Sequence, residues 1–116
     1  MGQRQATAKV TTPDDAVLAE IVRRLVQTYQ PERIYLFGSR ARGEAGGSSD
    51  YDLMVVVPDD CPEALRASGR AYDPLWGLKV GADVLVWTRR AFESRLHLRA
   101  SLPSTVVREG RLLYAA

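Results

Sequence analysis

Two aspartates one residue apart, Asp50 and Asp52, stand where a Gly/Ser-rich stretch gives way to the apolar run Leu53–Val57. In extended backbone, alternate side chains share a face and two residues span about 6.5 Å, so both carboxylates project toward one point. That spacing suits ligands of a metal ion. Upstream, Gly38 and Ser39 follow another apolar segment, Arg33–Phe37. Gly38 can take backbone angles closed to other residues, and Ser39 is a favourable helix N-cap, so a helix is expected to start here with its free N–H groups outward. Such a helix start attracts phosphate. A capping box would place Glu or Gln at position 42, whereas Arg42 stands there, leaving the donors free and adding a cation.

The remaining elements must hold these two features side by side. Val17, Leu18, Ile21, Val22, Leu25, Val26 and Tyr29 repeat as one face of an amphipathic helix. Thr12 is its expected N-cap, Pro13 its first residue, Asp14 and Asp15 complement its dipole, and Pro31 stops it. Residues 1–11 are polar and without period and read as a frayed tail, with residues 12–116 forming one domain. Arg33–Phe37 is a first strand, GEAGGSS a loop suited to closing over a ligand, and Asp50–Val57 a central strand covered on both faces. Pro62 to Tyr72 reads as a helix weakened by Gly69 and Pro74, with Leu65, Tyr72, Leu75 and Trp76 packed on the sheet. Ala82–Trp87 is a third strand. Thr88 caps a helix running to Leu98, Ser101-Leu102-Pro103 opens another that ends at Gly110, and Arg111–Tyr114 is an edge strand. The pattern is α/β (α+β) with a mixed sheet, whose strand order the pattern leaves open.

At 116 residues the chain builds one core and has no room for a separate substrate-binding domain, so an acceptor must be gripped partly by another molecule. A net charge of +2 does not indicate nucleic-acid binding. One cysteine, Cys61, excludes an internal disulfide framework and fits a reducing compartment. MGQRQATAKV lacks the apolar core of a signal peptide, and no apolar run is long enough to span a bilayer, so a cytoplasmic location is expected. His97 is the sole histidine and has no cluster around it. Trp76 and Trp87 read as packing residues, Cys61, though beside a helix start that could loosen its proton, as an inert lone cysteine, and GSRARGEAGG lacks the ending of a Walker loop.

Gly38, Ser39, Ala41, Arg42 and Gly43, followed by Ser49, Asp50, Asp52 and Leu53, resemble the signature of the minimal nucleotidyltransferase domains of the polymerase-beta-like superfamily. The resemblance extends from the first helix to Glu109–Tyr114. It implies a small palm-type sheet flanked by helices and a third acidic residue on a later strand, for which Asp83 stands at the expected place. Three carboxylates about 5 Å apart would repel pairwise by roughly 3 kcal/mol at an effective dielectric near 20, enough to require a cation such as magnesium. By this resemblance Asp50, Asp52 and Asp83 hold two Mg²⁺ ions, Asp83 also assists deprotonation of an acceptor hydroxyl, and Gly38, Ser39 and Arg42 bind the phosphates of ATP. Ser49 shapes the start of the strand. The reaction implied is transfer of AMP to a hydroxyl, with a tyrosine on a helical HEPN-type toxin as acceptor and this chain as antitoxin. Two alternatives stay open: a binding module that neutralises its partner by contact alone, and transfer to a small-molecule hydroxyl such as an aminoglycoside. A DxD glycosyltransferase ranks below both.

Overall fold

The computed structural model describes residues 15–38, 40–42, 51–67, 70–78 and 81–116. Helix α1 (Ala16–Tyr29) turns Leu18, Ile21, Val22, Leu25 and Tyr29 inward. Its N-cap is Asp15, not Thr12: the Asp15 carboxylate accepts from the N–H groups of Val17 (2.8 Å) and Leu18 (3.3 Å), and residues 12–14 lie outside the described residues. The helix ends where Gln30 adopts a left-handed conformation (φ 47°) and sends its N–H back to the Val26 carbonyl; Pro31 then bars continuation.

Four strands follow: β1 (Arg33–Phe37), β2 (Tyr51–Val57), β3 (Ala82–Thr88) and β4 (Arg111–Ala115), in the order β3-β2-β1-β4. β1 runs antiparallel to both β2 and β4, while β2 and β3 are parallel. The sheet is therefore mixed, with β4 at one edge as expected. The continuous apolar run of β2 is explained by burial on both faces. Leu53, Val55 and Val57 meet α1, whereas Met54 and Val56 meet a second core around Phe92 and Val106. That second core is supplied by α3 (Arg89–Glu93) and α4 (Leu102–Glu109), capped by Thr88 and Ser101 respectively, and it includes the stacked rings of Tyr35 and Phe92, 5.7 Å apart.

Three expectations fail locally. The helix expected over Pro62–Tyr72 is divided into α2 (Glu63–Arg66) and a 3-10 turn at Arg70–Tyr72, because Ala67 takes an extended conformation. The helix from Thr88 stops at Glu93, well short of Leu98. Beyond it the backbone tightens into turns whose N–H groups reach three residues back, Arg95 to Phe92, Leu96 to Glu93 and Leu98 to Arg95, and the Ser101 hydroxyl also donates to the Arg95 carbonyl at 2.6 Å. Leu65 and Leu75 pack against the α1 core, but Trp76 is 86% exposed and Tyr72 43%. The Arg24 guanidinium binds the carbonyls of Pro74 and Trp76, which holds that segment down by its backbone and leaves the indole outside. Trp87 packs partly against the second core, and His97 is exposed in the turns after α3. Cys61 is buried, and burial pushes its thiol pKa up, the opposite of an activated thiol. No helix among the described residues is long and apolar enough to cross a membrane.

Candidate active site

The site forms where β1 ends and where β2 and β3 begin. Phe37, last in β1, pairs with Asp52, second in β2, and Asp52 in turn pairs with Asp83 in β3. Partners in register on neighbouring strands lie about 4.8 Å apart and send their side chains to the same face. That face is the one Met54, Val56 and Trp87 share, and α3 and α4 cover it further along. Asp52 is half-buried and Asp83 exposed, so the two carboxylates stand side by side with solvent access from the β3 side.

Gly38 leaves β1 with φ 78°, a conformation that favours glycine. Space demands it too: a Cβ there would run into the Asp52 carboxylate. The turn therefore lies directly against one of the two acids. Beyond Gly38 the described residues make a single turn in which the N–H groups of Ala41 (3.1 Å) and Arg42 (3.3 Å) both donate to the Gly38 carbonyl, and the rest of the expected helix lies outside the described residues. Ala41 is buried in the α1 core and Arg42 is exposed. Ser39, Ser49, Asp50 and the GEAGGSS loop lie outside the described residues.

Beneath Asp52 is a second cluster that sequence reasoning did not assemble. Tyr51 faces the opposite side of β2, buried in the α1 core, and its hydroxyl donates to Asp15 Oδ2. The Arg40 guanidinium sits 4.1 Å from the centre of the Tyr51 ring. Asp15 thus uses one oxygen to cap α1 and the other to hold the start of β2. The Tyr51 hydrogen bond chiefly, aided by the backbone donors and Arg40, holds the Asp15 carboxyl below the usual carboxylate range; burial and then the same bond raise the Tyr51 hydroxyl. One tyrosine links the helix N-terminus, the turn after Gly38 and the strand that carries Asp52. Its signal in the sequence was its place between two aspartates, since alternation sends it to the face they do not use.

Among the described residues no group of three His, Cys, Asp or Glu side chains is placed to hold a metal ion. Asp52 and Asp83 supply two carboxylates with water access, a donor set that fits magnesium, which takes few protein ligands and completes its shell with water and phosphate oxygens.

The sequence profile of the nucleotidyltransferase domain family matches residues 17–113. This chain belongs to that family. Nucleotidyl transfer is the activity of its class, and the α/β architecture agrees with solved relatives. A Sulfolobus solfataricus protein described as a candidate nucleotidyltransferase superposes with a TM-score of 0.55 at 22% identity, over 86% of this chain and 78% of that one. A toxin–antitoxin structure determined with AMP-PNP superposes with a TM-score of 0.56 at 26% identity, over 83% of this nucleotidyltransferase domain and 72% of the other chain. No curated protein matches the sequence.

Proposed function

We propose that this nucleotidyltransferase domain moves AMP from ATP to a hydroxyl on a partner protein, a tyrosine of a HEPN-type toxin, and so acts as the antitoxin of a pair. The observation that carries the reading is the pairing of Asp52 with Asp83 beside the Gly38 turn: two acids in register, next to a turn that backs onto one of them. The likeness to a toxin–antitoxin solved with AMP-PNP favours both the nucleotide and the partner class.

In this reading Asp50, Asp52 and Asp83 hold the magnesium, and Gly38, Ser39 and Arg42 take the phosphates. When bound, the ions polarise the α-phosphate and neutralise the charge that builds on pyrophosphate. The protein's own part is alignment and proton removal. The acceptor oxygen forms a bond to the α-phosphorus as the bond to pyrophosphate breaks, and the hydroxyl proton passes to the Asp83 carboxylate. Asp83, the more exposed of the two described acids, is the one an incoming hydroxyl reaches from solvent. Ser49, next to Asp50 in the sequence, is the remaining candidate for the nucleotide site.

The test incubates the purified domain with α-labelled ATP, magnesium and the product of the neighbouring open reading frame. Label should appear on a partner tyrosine, and Asp52→Asn should cut transfer by at least about a hundredfold, since an ion lost from such a site removes several kcal/mol of transition-state stabilisation. Neutralisation of the partner that survives both Asp52→Asn and Asp83→Asn, with no label transferred by the unmodified domain, would instead establish a contact-only antitoxin.

A further inference from the structure

Among the described residues β3 is the terminal strand on its side of the sheet, so one side of its backbone is not used by β2. Two hydrogen bonds show which groups face outward. The Gly81 carbonyl accepts from the Tyr51 N–H at 3.1 Å, which directs odd-numbered positions toward β2; the Val84 N–H donates outward, to the Tyr72 hydroxyl at 3.3 Å. Peptide groups alternate along a strand, so Val86 and Thr88 also present their backbone to the outside. Among the described residues no strand pairs with them, and an edge of this kind is a template for another extended chain.

Val86 and Thr88 line an open recess of about 310 Å³, closed by Trp87 and Ala91 and flanked by Arg66 and Arg95. The two arginines approach from opposite faces of the sheet. Arg66 comes from α2, whose neighbour Leu65 packs on the α1 side; Arg95 follows α3, whose Phe92 packs on the other. The Arg66 Nε is tied to the Cys61 carbonyl at 3.3 Å, and the Arg95 side chain has no hydrogen-bond or ion-pair partner among the described residues.

We propose that this edge binds an acidic, extended segment of a partner protein, which adds as a further strand beside β3 at Val86 and Thr88 and sets carboxylates against Arg66 and Arg95. The backbone chemistry selects a peptide: outward N–H and C=O groups need a donor and an acceptor in alternation, and a phosphodiester chain offers acceptors only. The arginines select its charge. Because successive side chains of an added strand point to opposite faces, carboxylates that reach both arginines sit an odd number of residues apart.

The experiment uses the full chain with Trp76→Phe, so that Trp87 is the only indole, and a fluorescein-labelled peptide of alternating Thr and Val bearing two adjacent glutamates. Comparison peptides carry the glutamates two residues apart, or lysines in their place, and a single-stranded oligonucleotide completes the set. The adjacent-glutamate peptide should bind most tightly and change Trp87 emission. Amide shifts should concentrate at Val86 and Thr88, and Arg66→Glu with Arg95→Glu should weaken binding at least about tenfold. If charge reversal impairs folding, Arg66→Gln with Arg95→Gln should weaken it by a smaller but measurable factor. Equal binding of all three peptides, insensitivity to the arginine variants, shifts away from β3, or binding of the oligonucleotide in place of the peptide would each overturn the proposal. None of these readouts depends on nucleotidyl transfer.

Discussion

Tyr51 ties together the segments around the site. Its hydroxyl reaches Asp15, 36 positions away, and its ring carries Arg40, so a single side chain joins three segments around the site. Tyr51→Phe keeps the ring and the cation–π contact but removes the bond to the carboxylate, and should destabilise the fold by about 1 kcal/mol. The Asp15 carboxyl titrates lower in the folded chain than in the unfolded one, so the bond contributes in full above the unfolded value of about 4 and fades as pH falls through the folded value. Thermal melts of the parent and Tyr51→Phe should therefore differ by a constant amount from about pH 5 to pH 8 and converge below about pH 4. Gly38→Ala tests the other side of the site. A φ of 78° and the Asp52 carboxylate both oppose a methyl group there, so the variant should lose about 1–2 kcal/mol of stability. Its transfer rate should fall by about a hundredfold under conditions where circular dichroism shows it folded, the scale expected when a reacting group is displaced by about an ångström.

At the scale of elements, the joints between helices and strands decide where the site sits. Gly110 is the joint between α4 and β4, and its φ of −88° is open to any residue. Its constraint is space: a Cβ would lie 2.5 Å from the Val106 carbonyl oxygen and 2.6 Å from that of Leu36, and backbone cannot give way as a side-chain tip can. Gly110→Ala should cost about 1–3 kcal/mol in a urea titration, the range for forcing an extra carbon into packed backbone. Because Leu36 lies two residues before Gly38, the same strain should reach the turn at Gly38. Helix ends were legible where the cap is local, as at Thr88, Ser101 and Gly110, whose side chain or absence of one acts within a few residues. They were not legible where a tertiary partner intervened. Asp15 displaced Thr12 as N-cap with Tyr51 on its other oxygen, and the turns after α3 are tied by the Ser101 hydroxyl to a carbonyl six residues back.

In the whole molecule, the sheet separates two cores, and the one on the site's own face is the smaller. Phe92 anchors it, fully buried and stacked on Tyr35. Phe92→Ala should cost about 3–5 kcal/mol, seen as a large fall in the urea midpoint with the slope retained, because the cavity opens under Met54 and Val56. The chain by itself determined the class of element for most of the described residues: the stripe of α1, the double-sided burial of Leu53–Val57 and the turn at Gly38 follow from periodicity and backbone sterics, which act over a few residues. It also supplied the motif, Gly-Ser to Asp-x-Asp, that pointed to nucleotidyl transfer. Only the tertiary structure decided that Asp83 lies in register with Asp52, that Tyr51 is locked to Asp15, and that Val86 and Thr88 face outward between two arginines. The physical reason is that alternation assigns a residue to a face, whereas register and neighbour come from strand pairing, which is settled by how the sheet packs against both of its cores.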